Sequence, residues 1–155
     1  AGSALAQLFS AHIVGRYERE RPGLAAFSLS GNAAAMSAIA TDFDGRQVYA
    51  RQVHALGQAG DVLLVFSPDG QAGNLVAAVE AAHEREMTVV ALTGARGGRL
   101  AAQLRDTDVH VCVPHEQPAR VSELHLLVLH CLADGLDAQL LGLPETPSTE
   151  TENPA

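Results

Sequence analysis

Basic residues, paired cysteines and long apolar runs are all scarce in this chain, and each scarcity closes off a class of function. Ten Lys and Arg stand against 18 Asp and Glu, for a formal net charge of -8 and a pI near 5.2. Direct binding of nucleic acid needs clustered cations that neutralise phosphates, so an acidic domain is a poor candidate. A partner that itself binds nucleic acid is not excluded. Cys112 and Cys131 form no Cys-x-x-Cys pair and lie within apolar runs. Two reduced core residues are expected, as in a reducing cytoplasm. The opening lacks a basic stretch followed by an apolar one, so no secretory signal is expected. The most apolar stretch, residues 124–132, is broken by His125 and His130 and is shorter than a membrane span; no membrane partner is expected. The chain opens Ala1-Gly2-Ser3 without Met, which suggests a fragment whose upstream part is missing. No internal repeat is visible. Gly94, Gly97 and Gly98 do not make Gly-x-Gly-x-x-Gly, which speaks against a dinucleotide loop.

What the chain does have is apolar residues, 47% of 155, enough for one domain with a real core. The most informative segment runs from Gly60 to Asn74. Five apolar residues, Val62 to Phe66, end in the small polar turn Ser67-Pro68-Asp69-Gly70, and a helical pattern follows. A continuous apolar run suits a strand buried on both faces of a parallel sheet. Ligand crevices form where such strands end, and a helix start there presents free N–H groups to an anion. Similar runs at 87–94 and 109–113 predict two more strands, and 24–30 predicts a short one. Helical spacing predicts helices over 3–17 with Ser3 as N-cap, 33–40, 47–56, 73–85, 99–104 and 122–141 with Ser122 as cap. Alternating strands and helices imply an α/β fold, a central parallel sheet flanked by helices in three layers. The last helix is apolar nearly all round, which predicts cover from another copy of the chain. Residues 144–155 are rich in Pro, Thr, Ser and Glu and are expected to form a disordered acidic tail after a single domain over 1–143.

Several motifs in order resemble the sugar isomerase (SIS) domain family: Arg16-Tyr17-Glu18-Arg19-Glu20-Arg21-Pro22-Gly23, Thr41-Asp42-Phe43, Val48-Tyr49-Ala50-Arg51-Gln52-Val53, Gly60-Asp61-Val62-Leu63-Leu64, Ala91-Leu92-Thr93-Gly94, Gly97-Gly98 and Val121-Ser122-Glu123-Leu124-His125. The closest branch holds the phosphoheptose isomerases and the bacterial DnaA initiator-associating proteins. The resemblance implies the flavodoxin-like SIS fold and a homotetramer. It places Ser3 at the remnant of an upstream ligand loop and Asp42 near the pocket. It makes residues 67–72 the phosphate loop, which in the family reads Ser-Thr-Ser-Gly-Asn-Ser. Ser67 and Gly70 persist, Pro68 removes an N–H, and Asp69 brings a negative charge to a site meant for phosphate.

The family's zinc ligands, a His and a Glu on the first helix and a Gln and a His on the last, fall on Leu8, His12, Ser122 and His130. The altered loop and ligands lead to the expectation of a non-catalytic SIS protein without cofactor. It would be an oligomeric scaffold that associates with the DnaA initiator, with Leu140 and Leu141 at the partner contact. The alternative is a phosphoheptose isomerase acting on sedoheptulose 7-phosphate, with zinc on His12 and His130 and with His130 as acid or base. A phosphosugar-sensing domain lies between the two. Ser3, Asp42, Ser67, Asp69, Gly70 and Ser122 are the candidate ligand-binding residues.

Overall fold

The structure, a computed structural model, describes residues 1–143; the expected tail at 144–155 lies outside them. In chain order the elements are α1 (Gly2–Val14), α2 (Ala33–Asp42), α3 (Gln47–Leu56), β1 (Val62–Ser67), α4 (Gly73–Glu84), β2 (Thr88–Gly94), α5 (Gly98–Ala101), β3 (Val109–Val113) and α6 (Pro118–Leu141). The strands form one parallel sheet in the order β1-β2-β3. Val62 is in register with Thr88 and Ser67 with Thr93, and Gly94 pairs with Val113.

Side chains alternate across a strand, and here both faces are covered. Leu63, Val65, Val89 and Ala91 join Val76, Val79 and Ala82 of α4 in one core. Phe66 and Leu92 point the other way, to Leu129 of α6 and to Leu5, Ala6 and Phe9 of α1. Burial on both faces explains the unbroken apolar runs. The three layers are therefore α3 and α4, the sheet, and α1 with α6.

The α1/α6 layer is fastened by Arg21. Its guanidinium donates to Asp137 Oδ1 at 2.6 Å, to His12 O at 2.8 Å and to Ile13 O at 3.0 Å. Both side chains of the ion pair are buried. One residue thus caps the open carbonyls at the end of α1 and ties that end to α6. The hydrogen bond from Arg21 holds the Asp137 carboxyl below its ordinary range, against burial. Arg19 donates to Gly142 O at the end of α6.

Several sequence expectations need correction. Residues 24–30 form no strand: 24–28 are irregular and unpaired in the sheet, and Leu29-Ser30 are a turn. Their backbone is held instead by Leu24 N–H to Ile13 O, Ser10 Oγ–H to Ala26 O and Gln52 Nε2–H to Leu29 O, so helix ends and side chains do what a strand neighbour would. Ser3 lies inside α1, whose cap is Ala1. Ser122 lies inside α6, which starts earlier at Pro118 with Gln117 as cap; proline suits a first helical position, where no N–H partner is needed. Cys112 and Cys131 are exposed rather than in the core. The apolar stretch is longer than the sequence suggested: by length and composition alone α6 is long and apolar enough to cross a bilayer. It nonetheless carries a buried stripe, Val121, His125, Leu129, Ala133 and Asp137, against the rest of the fold.

His125 supplies a test of this packing. It is 1% exposed and its Nε2 lies 3.0 Å from Thr93 O. Burial pushes its pKa below the ordinary imidazole value, and the bond to Thr93 only partly offsets this. The unfolded chain then binds the proton more readily than the fold does. The stability that neutral His125 confers is complete above about pH 6.5 and is lost as pH falls below it. Urea unfolding is expected to show lower stability at pH 5 than at pH 7, with a smaller difference in His125→Gln.

Candidate functional site

The crevice at the carboxyl ends of the strands is built by close backbone approaches. A Cβ on Gly70 (φ +67) would overlap Gly97 O, and one on Gly94 would overlap Pro68 O and meet Val121 Cγ2 at 2.7 Å. Leu100 N–H donates to Gly70 O at 3.0 Å. The 67–72 loop is thereby locked onto the Gly97-Gly98 turn, and Gly94 at the end of β2 is wedged between Pro68 and Val121 of α6. Gly2, at the start of α1, also lies against Phe66 at the end of β1.

Ser67, Asp69 and Gly70 come together in this loop and bond to one another. Gly70 N–H donates to Ser67 Oγ at 3.0 Å, and Gln71 N–H donates to Asp69 Oδ1 at 3.0 Å. Ser67 is 1% exposed, while Asp69 is exposed. Ser3, in the first turn of α1, is exposed, and Ser122, in α6, is half-buried; neither is hydrogen-bonded to the loop through its side chain. Asp42 is exposed at the end of α2, and no hydrogen bond joins it to the loop. A polar cleft of about 330 Å³ lies beside the first turn of α4, between Arg46, Gln47, Glu80 and Arg99.

His12 and His130 form a second centre, where α1 and α6 meet. Their rings are 5.7 Å apart. Tyr17 stacks on His130 at 5.5 Å and 27° and meets His12 edge-on at 5.0 Å. Burial, then the charges of Asp134 and Glu18, raise the Tyr17 pKa above its ordinary value. The phenol therefore keeps its proton near neutral pH and can donate it in a hydrogen bond. His12 Nε2 is buried without a hydrogen-bond partner. Val121 beside the loop and His130 are nine residues apart, about 13 Å of helix. Sequence reasoning missed Tyr17, Arg21 and Asp137 as site residues. The available signal was spacing: Asp137 follows His130 by seven residues, two helical turns, and so shares its face.

The donors present do not fit a zinc ion. Structural and catalytic zinc sites use three or four N, O or S ligands. Among the described residues no group of three or more His, Cys, Asp and Glu is arranged to hold a metal. Leu8 offers no donor, which leaves the two imidazoles and the half-buried Ser122. Leu140 and Leu141 close α6 with 53% and 37% exposure.

The SIS domain family profile matches residues 1–94. The chain belongs to the SIS domain family. This SIS domain is 56% identical over 137 residues to a phosphoheptose isomerase of Methylibium petroleiphilum, covering 88% of the chain and 68% of the relative. It is 54% identical over 145 residues to one of an Azoarcus species, covering 93% and 74%. Its structure aligns with a phosphoheptose isomerase from Francisella tularensis at a TM-score of 0.84 and 39% identity, over 87% of this chain and 71% of that one. It aligns with another from Neisseria gonorrhoeae at 0.83 and 45%, over 88% and 71%. These likenesses place the domain in the phosphoheptose isomerase branch and bear out the parallel α/β fold. They overturn the expectation of a non-catalytic, initiator-associating scaffold, because relatives this similar over most of the chain are isomerases. The altered loop and ligand positions had suggested lost activity; across the whole chain the identity to isomerases outweighs them.

Ser67→Ala tests the self-bonded loop. It leaves the buried Gly70 N–H unpaired, which is expected to cost about 1–3 kcal/mol in urea unfolding. An unchanged midpoint and slope would contradict the role given to this hydroxyl.

Proposed function

We propose that this SIS domain is a phosphoheptose isomerase, interconverting the ketose sedoheptulose 7-phosphate and its aldose. The reading is supported by the isomerase relatives and carried by one observation, the stacking of Tyr17 on His130 with His12 at the edge. Aldose–ketose isomerisation moves a proton between adjacent carbons and needs a positioned acid–base group. His130 is the group assigned to that transfer. The Tyr17 hydroxyl, protonated at neutral pH as any phenol is, is suited to donate to the oxygen that gains charge as the proton leaves. No step is routed through a metal, since the donor set does not fit one.

The same reading includes a homo-oligomer, and the cytoplasm as its place of work. Leu124 and Leu127, with Leu140 and Leu141, leave α6 a row of exposed large apolar side chains, a surface that association would cover. Turnover of sedoheptulose 7-phosphate, followed by NMR of the sugar, is the direct test. His130→Ala is expected to lower kcat by about 10²–10⁴ with the fold intact by circular dichroism. Equal turnover in this variant would defeat the assignment, and no turnover in the wild type would defeat the isomerase reading.

A further inference from the structure

We infer that the outer face of α6 is a self-complementary seam for a second copy of this chain, the two helices running antiparallel about a two-fold axis between Cys131 and Asp134. The inference takes the homo-oligomer from the isomerase reading and fixes its geometry. Val121, His125, Leu129, Ala133 and Asp137 turn inward to the fold. The opposite face carries Leu124, Leu127, Cys131, Asp134, Ala138 and Leu141, all exposed except the half-buried Ala138. Their steps alternate three and four residues over about 25 Å of helix, the period that keeps one seam facing a partner helix. Set antiparallel against itself, this seam matches layer by layer. Leu124 meets Leu141, the large Leu127 meets the small Ala138, and Cys131 meets Asp134. Set parallel, it fails in the middle: two Asp134 carboxylates face each other, two Leu127 crowd one layer and two Ala138 leave a gap in the next. Like charges brought together and mismatched volumes both select against that pairing. The seam borders the stack of Tyr17 on His130, since His130 adjoins Cys131.

Cross-linking with a short bis-maleimide reads this geometry, in the full chain with Cys112→Ser and Cys131→Ser. Leu127→Cys and Ala138→Cys introduced together are expected to give a covalent dimer, because they share a layer across the axis. Each alone is expected to give none, because it lies about 16 Å along the helix from its own copy. Light scattering after gel filtration reads the mass of the particle at micromolar concentration. Leu127→Asp, which puts a charge into a layer that must exclude water, is expected to cut that mass by half or more with the fold intact by circular dichroism. Gln139→Asp, exposed but off the seam, is expected to leave it unchanged. A covalent dimer from the double variant only, with loss of mass in Leu127→Asp, supports the inference. Cross-linking by either single variant shows parallel pairing and overturns it. So do a monomeric wild type, no covalent dimer from the double variant, or an unchanged mass in Leu127→Asp. Capture of a monomeric wild type by phosphatidylcholine vesicles assigns the face to a bilayer and overturns it too. Turnover of sedoheptulose 7-phosphate is read separately. The covalent dimer without turnover in the wild type leaves the inference standing and defeats the isomerase reading, whereas turnover with no covalent dimer does the reverse.

Discussion

The buried contact between Arg21 and Asp137 is the constraint on which this structure turns. One guanidinium satisfies two carbonyls at the end of α1 and a carboxylate about one turn from the end of α6. A buried charge without its partner is costly, so the two helices are held in one relative register. That register sets His12, Tyr17 and His130 against one another. The two buried polar atoms without partners among the described residues, His12 Nε2 and Asp137 Oδ2, both belong to this junction. Unsatisfied polar groups concentrate where a structure serves something besides stability.

At the other end of the same two helices, the crevice is governed by backbone proximity. Gly70, Gly94 and Gly98 let three turns approach more closely than any side chain permits. The result is a rigid rim in which the small polar residues bond to each other. The His12, Tyr17 and His130 cluster and the 67–72 loop are thus separate parts of the structure, one set by an ion pair and the other by glycine contacts. Each can drift in sequence without unmaking the other, which accounts for an altered loop and altered ligand positions within a chain that otherwise keeps close to its isomerase relatives.

Much of the fold was legible because parallel strands are buried on both faces. The runs at Val62–Phe66 and Val89–Leu92 carry no polar residue, so the parallel sheet and its alternation with helices followed. The segment at 24–30 was not legible. Its apolar composition suits a strand, and only the tertiary arrangement shows that its hydrogen-bond partners are a helix end, a serine and a glutamine. Caps at Ser3 and Ser122 failed for a related reason, since a small polar residue marks a helix start only where the chain turns there. Within the site, local chemistry was readable at Ser67-Pro68-Asp69-Gly70. The pairing of His12 with His130 came from family resemblance alone, and the part played by Tyr17 and Arg21 emerged only in three dimensions, because residues on distant helices have no common sequence signature. Function was misjudged by weighing a few substituted positions above the rest of the chain.

Under the proposed isomerase reading, the α1/α6 junction makes a proton-transfer centre. Its most direct test is deuterium wash-in: sedoheptulose 7-phosphate is incubated with the protein in heavy water and deuterium at C1 is followed by NMR. The wild type is expected to incorporate deuterium, and Asp137→Asn, folded by circular dichroism, to do so more slowly. No incorporation by the wild type, or an undiminished rate when the junction is weakened, would contradict the claim.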